Sequence, residues 1–211
     1  MEAVGGAVNV KSLLNYSLNI TDFACSCHMS QQTYLKVPFV WEEPRRLVEV
    51  PLQLKFEPVQ AVSREVLISA LACVMSSSID ASDKKQVAEQ GSLQAAEQFL
   101  DSSRDGFVYH DEWWQFGVSS DEEIVGFVFP VVYEGCAKDG LEEGTIYYIG
   151  VLPEYRGFGF ANDLLSKGTR ILQEVGVWRV FCDTDIKNVQ MISAFQRVGY
   201  RQYSQPWERP L

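Results

Sequence analysis

The sequence predicts an α+β fold in which an antiparallel meander of strands joins a parallel β–α–β unit in one mixed sheet. Short stretches of alternating apolar and polar residues recur along the chain, and amphipathic helical segments separate them. The resulting order of elements is β–α–α–β–β–β–α–β–α–β. A helical segment follows the strand that ends at Val151, so we expect the next strand to run parallel to it.

The composition is that of one globular domain, with or without an arm. Of the 211 residues, 46% are hydrophobic and 22% are charged, which is enough to bury a core. No apolar run of about 18 residues exists, so no transmembrane helix is expected. The N-terminus also lacks the basic and apolar regions of a secretory signal.

Charge and cysteine content narrow the classes of partner. The net charge of −10 disfavours broad nucleic-acid binding, which needs clustered Lys and Arg. Residues 144–211 are nevertheless slightly basic, so an anionic ligand is expected there and a cationic one near the acidic remainder. The five cysteines have no disulfide-framework or zinc-ligand spacing, which predicts a reducing, cytoplasmic setting and no metal.

The first 50 residues are predicted to form an N-terminal arm, partly irregular, and residues 51–211 to form the domain. Residues 1–28 have weak periodicity, and residues 34–50 contain two prolines and an EEPRR turn. The domain then begins with a strand at 52–59, where Leu52, Leu54 and Phe56 alternate with polar residues.

Two helical regions and three strands are expected next. Ser63 can cap the first helix, and the second runs after the polar break 76–82 to about residue 100, interrupted near Gly91. The strands are predicted at 107–118, which is rich in aromatic residues, at 122–134 and at 145–151. The Gly- and acid-rich loop 135–144 favours antiparallel pairing of the last two.

The remaining elements alternate between helix and strand. A helix is predicted after the turn 153–159, ending at Gly176, followed by a strand at 177–182. A last helix ends at Gly199, and a short strand is expected at 200–204.

The segment VLPEYRGFGFA, residues 151–161, has the physical properties of a diphosphate cradle. It leads from a strand end through glycines into a helix N-terminus, where backbone N–H groups are unpaired and the helix dipole is positive. Glycine lets a phosphate approach the backbone closely, and Arg156 adds a permanent cation. The segment lacks the third glycine of a Rossmann fingerprint and the GK[ST] of a Walker loop.

A second segment, residues 183–200, carries further polar groups at a strand end. Asp183 ends the strand, Asp185 could cap the next helix, and Asn188 lies in its first turn, where its amide could bond a ligand. Met191 and Phe195 fit the apolar face of that helix, as ordinary core residues would.

Together the two segments resemble the GNAT acyltransferase superfamily. The family's loop pattern and its strand-end entry are matched by Arg156, Gly159 and Ala161, and by Val151 and Pro153. Its later block, an Asn before a helix that ends in Gly and an aromatic residue, is matched by Asn188, Gly199 and Tyr200. These motifs cover about residues 144–200, and the order of elements extends the resemblance to about residue 50.

The resemblance implies a GNAT-like three-layer fold that binds acetyl-CoA as co-substrate. In such a fold the pyrophosphate would lie on the loop formed by Arg156, Gly157, Phe158, Gly159, Phe160 and Ala161. The pantetheine arm would pair with the strand at Ile149 and Val151, and Asn188 and Phe195 would lie beside the cofactor. The expected reaction is direct transfer of acetyl to a primary amine of a small molecule or peptide; the resemblance also allows for a homodimer.

Candidates for the catalytic base and the general acid lie outside the cofactor loop. Asp183 is our first candidate for the base, with a solvated or capping carboxylate as the alternative. Tyr147 and Tyr148 could line the same cleft or pack in the core. Many family members carry a Tyr as general acid where this chain has Phe195. Tyr203 or a water molecule could replace it.

Two other functions remain open at this point. The missing Tyr at Phe195 favours a non-catalytic acyl-CoA-binding or sensing module. A protein-modifying acetyltransferase would use the N-terminal arm as a partner contact. We expect substrate specificity to lie in the polar break 76–82 and in the aromatic strand.

Overall fold

The computed structural model describes residues 33–42, 52–137 and 139–211. Its strands are β1 (Thr33–Glu42), β2 (Lys55–Pro58), β3 (Phe107–Val108), β4 (Gln115–Val118), β5 (Ile124–Tyr133), β6 (Glu142–Val151), β7 (Val177–Asp185), β8 (Arg201–Gln202) and β9 (Trp207–Pro210). Its helices are α1 (Arg64–Ser76), α2 (Ala81–Gln90), α3 (Ser92–Asp101), α4 (Phe160–Glu174) and α5 (Val189–Val198).

The strands of the described part form one mixed sheet in the order β2-β4-β5-β6-β7-β1-β8, with β3 beside β5 and β9 beside β1. The pair β6 and β7 is parallel, as expected for strands joined by a helical crossover, and the other pairs are antiparallel. The predicted α+β class and its mixed sheet are therefore confirmed.

Helices cover both faces of the sheet and make the three predicted layers. On one face, α4 and α5 bury a core that includes Leu164, Leu165 and Phe195. On the other face, α1 and α3 pack Leu71 and Ala96 against the sheet. We call these the α4–α5 face and the α1–α3 face.

The N-terminal boundary of the domain differs from the predicted one. Residues 33–42 are not part of an arm, because β1 lies inside the sheet, antiparallel to β7 on one side and to β8 and β9 on the other. Phe39, Val40 and Trp41 are fully buried. The domain therefore includes Thr33, while residues 1–32 and 43–51 lie outside the described part of the chain.

Pro38 lies in the buried strand β1 without leaving a sheet hydrogen bond unmade. Its carbonyl accepts a hydrogen bond from the backbone N–H of Tyr203, so its missing N–H faces the same side. On that side β8 pairs with Phe39 and Val40, and β9 pairs with residues 33–36, so Pro38 lies in the gap between them. The ladder loses no hydrogen bond at this position.

The helices agree closely with the sequence, whereas the aromatic strand does not. Ser63 is the N-cap residue of α1, Gly91 separates α2 from α3, and Gly176 and Gly199 have positive φ angles after α4 and α5. The predicted strand 107–118 is instead two short strands separated by a 3-10 turn at Asp111–Trp113.

Within the described residues, no single helix is long and apolar enough to cross a membrane. Helices α1 and α2 together have the length and composition of a broken membrane span, but they are bent by 112° at the break between them. Seven residues of α1 are buried, which is typical of a core helix.

Candidate active site

The sheet opens into a wedge between β6 and β7. The two strands pair only from Glu142 to Gly144, against Val177 to Val180. A register shift between Phe129 and Pro130 of β5 leaves Tyr147 as an extra residue in β6. Such a bulge bends a strand, so β6 diverges from β7 after this point.

The diverging part of β6 presents to the wedge a backbone edge that no described strand pairs with, although the Val151 carbonyl on it accepts from Arg156. The N–H of Leu152 donates to the carbonyl of Val125 at 2.9 Å, on the β5 side. Because backbone groups alternate in direction along a strand, those of Val151 and Ile149 point away from β5 and into the wedge. Both residues are half-buried and pack against the α4–α5 core. An extended ligand chain could pair with this edge as a further strand would.

The loop that follows β6 has a backbone geometry suited to an anion at the N-terminus of α4. Gly157 and Gly159 have φ angles of +89° and +87°, which only glycine adopts at little cost. Gly159 is left-handed and Phe160 begins the helix, a sequence of conformations that aims successive N–H groups to one side. The N–H groups of Gly157, Phe158 and Gly159 have no acceptor among the described residues. Ala161 is in the first helical turn, where N–H groups are also unpaired.

The side chain of Arg156 connects this loop to β6 and α1 by hydrogen bonds. Its guanidinium donates to the carbonyl of Val151 at 3.1 Å, to the carbonyl of Ser77 at 3.0 Å and to the hydroxyl of Ser77 at 2.8 Å. These bonds connect the end of β6 to the C-terminus of α1. A guanidinium has five N–H groups, so these three bonds leave two of them for another acceptor.

Asn188 is the N-cap residue of α5, one position before the first turn where the sequence placed it. Its side-chain oxygen accepts from the backbone N–H of Met191 at 3.2 Å. Its amide nitrogen has no acceptor within the described part of the chain and remains available to a ligand. The carboxylate of Asp185, our predicted cap, accepts instead from the N–H of Lys187.

Phe195 lies in the core rather than at the surface of the wedge. Only 2% of the residue is exposed, and its ring stacks on Phe39 with centroids 4.8 Å apart. Tyr200 contacts its other side. This placement supports the core alternative, so we leave Phe195 out of the cofactor site.

On the α1–α3 face, an ion-pair cluster joins β1, β7 and the N-terminus of α2. The ammonium of Lys36 is 2.6 Å from a carboxylate oxygen of Asp80 and 3.2 Å from one of Asp183. Burial disfavours the charged form of Lys36, but the hydrogen bond and the two carboxylates outweigh it, so its pKa is raised. Asp80 is likewise buried, but bonds from Lys36 and Ser82 hold its pKa below the usual value.

A hydrogen-bonded pair, Tyr148 and Asp83, lies on the β6 side of the same face. The hydroxyl of Tyr148 donates to Asp83 at 2.8 Å. Burial raises the pKa of Asp83, which hydrogen bonds from Ser78 and Tyr148 offset only in part. Burial and the neighbouring carboxylate also raise the pKa of Tyr148 well above its ordinary value. The N-terminus of α2 therefore contacts β6 through Asp83 and, beyond β7, contacts β1 through Asp80.

Tyr147 and Tyr203 lie outside this cluster. The ring of Tyr147 packs against Phe99, Phe107 and the guanidinium of Arg104. Tyr203 is 49% exposed and contacts Phe181 edge-on. Its backbone bonds to Pro38, so Tyr203 is two strands, or about 10 Å, from Asp183. Of the sequence candidates, Asp183 and Tyr148 therefore belong to the cluster, whereas Tyr147 and Tyr203 do not.

Sequence reasoning missed Lys36, Asp80 and Asp83 as site residues. They belong to three separate segments, and neither spacing nor periodicity relates them. The only signal in the sequence is the polar break 76–82 between two helices, which contains Asp80 and which predicts a region of substrate specificity.

Residues 82–200 match the sequence profile of the acetyltransferase (GNAT) family, which is more than half of the chain. The chain belongs to this family. Members use acetyl-CoA as co-substrate. The match includes residues 156–161 and Asn188, and it confirms the resemblance drawn from those residues.

Curated relatives match only a part of the chain. A mycothiol acetyltransferase of Streptomyces griseus is 33% identical over 112 residues, which are 53% of this chain and 34% of that protein. One from Paenarthrobacter aurescens is 28% identical over 114 residues, with the same coverage. The chain therefore spans about a third of the length of these relatives.

Solved structures share the fold at low identity. A GCN5-related N-acetyltransferase from Sphaerobacter thermophilus superposes with a TM-score of 0.53 at 15% identity, covering 84% of this chain and 51% of that one. A chain of the NatC complex bound to Gag peptide and CoA gives 0.52 at 15% identity, covering 76% and 99%.

Proposed function

We propose that the chain is an N-acetyltransferase that transfers acetyl directly from acetyl-CoA to a primary amine of a small molecule or peptide. The observation that supports this most is the wedge between β6 and β7. It has an anion-binding loop at one end and carboxylates on the α1–α3 face, so a thioester and an ammonium can meet there.

The cofactor would be held mainly by backbone groups. The pyrophosphate would accept from the N–H groups of residues 157–161, with Arg156 beside them. The pantetheine arm would pair with the edge at Ile149 and Val151, which directs the thioester into the wedge. Asn188, on the other side, offers its amide nitrogen to the arm.

The chemistry needs a proton acceptor and an oxyanion site. The amine must lose a proton before its lone pair can attack, and a carboxylate of the cluster, with Asp183 the candidate from the sequence, would accept it. The free N–H of Val151 is suited to stabilise the tetrahedral oxyanion. The departing CoA thiolate is a good leaving group, so Phe195 does not prevent turnover.

The acceptor is expected to be cationic. Asp80, Asp83 and Asp183 contribute three carboxylates to the cluster, and Lys36 is its one ammonium among the described residues. Aminothiols are a natural class to include, since relatives named mycothiol acetyltransferases match this chain. The cytoplasm supplies acetyl-CoA and keeps Cys73, Cys136 and Cys182 reduced, which fits their unpaired state.

The test is release of CoA thiol from acetyl-CoA with and without a panel of amines, aminothiols and short peptides. Calorimetry in parallel measures the affinity for acetyl-CoA. Amine-dependent release, with acetylated product confirmed by mass spectrometry, would establish the activity. Tight binding without release across the panel would contradict it and favour the sensing module.

A further inference from the structure

The carboxylates of the cluster differ in their surroundings, and only one of them is free of an ion pair at hydrogen-bond distance. Asp80 and Asp183 both contact the ammonium of Lys36, at 2.6 and 3.2 Å. Asp83 instead accepts a hydrogen bond from a neutral phenol, that of Tyr148. A carboxylate paired with an ammonium is a weaker base than one held by a neutral donor.

The position of Tyr148 places this pair beside the reacting groups. Tyr148 immediately precedes Ile149 in β6, whose backbone faces the wedge. The bulge at Tyr147 puts the Tyr148 ring on the α1–α3 face, against Phe127 and Phe99. The residue is half-buried, and the aromatic rings packed against it give its hydroxyl a dry environment.

We propose that Tyr148 and Asp83 form the proton-accepting pair for the acceptor amine, and that Lys36 holds Asp183 as a counter-ion to the site instead of leaving it to act as the base. This inference rests on the proposed function and names the residues that carry out its proton transfer.

The proton and electron balance is complete with groups already named. The phenol oxygen of Tyr148 takes a proton from the ammonium while its own proton passes to the Asp83 carboxylate. The amine lone pair then forms the C–N bond to the thioester carbonyl carbon, and the C–S bond breaks. The nitrogen's second proton goes to the CoA thiolate, and Asp83 later releases its proton to solvent.

Several charged groups surround Asp83 and set its proton affinity. Asp80 on the same helix raises its pKa, whereas Lys36 of β1 and the phenol of Tyr148 lower it, and burial is the largest influence. Arg156 acts on Tyr148 in the opposite direction to Asp83, favouring the phenolate. The net effect raises the pKa of Asp83, as a base acting near neutral pH requires.

The test compares Asp83→Asn and Tyr148→Phe with Asp183→Asn, using acetyl-CoA and the best amine of the panel. We expect the first two to lower kcat at least about tenfold and to flatten the acidic limb of its pH profile, with acetyl-CoA affinity within about twofold of the parent protein. Asp183→Asn should keep that limb. Asp101→Asn and Tyr109→Phe are matched controls, because both residues lie away from the wedge. An unchanged kcat and pH profile in Asp83→Asn would overturn the inference.

A second readout does not depend on turnover. The carbonyl ¹³C signal of the Asp83 side chain, assigned by its loss in Asp83→Asn, should titrate above the usual range for Asp and move further upward in Tyr148→Phe. Titration in the usual range, unaffected by Tyr148→Phe, would refute the pair. If the parent protein acetylates no amine of the panel, the proposed function fails, and this titration still decides whether the pair exists.

Discussion

Replacing Lys36 by Met tests how much of the fold depends on one buried ammonium. Methionine keeps an unbranched apolar chain but leaves Asp80 and Asp183 facing each other without a cation. The Lys36 side chain is 9% exposed and those of the two aspartates 17% and 23%. Removing one partner of a buried pair costs about 3–5 kcal/mol, and the partly exposed aspartates place this case near 3. For a domain of this size that corresponds to a melting temperature lower by about 6–12 °C.

The pH dependence follows from the direction of two pKa shifts. The pKa of Lys36 is raised, so its contribution to stability is present below about 10.4 and lost as the pH rises through the folded value. That of Asp80 is lowered, so its contribution is present above about 3.9 and lost as the pH falls through the folded value. Lys36→Met should therefore differ most from the parent protein near neutral pH and converge with it in acid.

Urea unfolding at pH 7, with equal m-values as the condition for comparison, measures the effect. The control is the triple variant Lys36→Met, Asp80→Asn, Asp183→Asn, in which Asn still caps α2 and no charge is left unpaired. We expect it to recover most of the lost stability, since an uncharged replacement of a buried pair is often neutral. A single variant within about 1 kcal/mol of the parent, or a triple variant no better than the single, would refute the reasoning.

Three further predictions concern the loop and the core. Arg156→Glu should weaken CoA binding at least about tenfold, because it removes the hydrogen bonds of Arg156 and places a negative charge beside the loop 157–161. Arg156→Gln should lose less affinity for CoA, and equal affinities of the two variants by calorimetry would contradict this role. Gly157→Ala should cost about 1–2 kcal/mol in urea unfolding from its φ of +89° alone, since no atom lies within 4 Å of the added Cβ; an unchanged midpoint would show that the loop relaxes. Phe195→Ala should cost about 3–5 kcal/mol, because its ring is stacked on Phe39 in the core; a loss below about 1 kcal/mol would place it outside the core.

The sequence predicted those parts of the fold whose signals are local. Amphipathic stripes and terminal glycines located α4 and α5, and the glycines after β6 predicted the turn that leads into the N-terminus of α4. These features depend on residues a few positions apart, so a single stretch of chain contains all the information.

Long-range features were harder to predict. The strand β1 is buried almost continuously and has no alternation, and Pro38 argued against a strand because its neighbouring gap could not be foreseen. The site residues likewise fall into those with a local sequence signal and those that only the fold brings together. Asp183 and Asn188 were visible as a strand end and a helix start, whereas Lys36 and Asp83 become neighbours only when β1 and α2 meet across the sheet.

The position of β1 inside the sheet has a consequence for synthesis on the ribosome. Pro38 pairs with Asp183, which is 145 positions later in the chain. At typical translation speeds β1 must wait about 7–30 s for this partner to be made. During that interval Phe39, Val40 and Trp41, all fully buried in the finished domain, have no strand to cover them. The growing chain therefore exposes an apolar segment until β7 has been made, and truncation before β7 should yield insoluble protein instead of a smaller folded one.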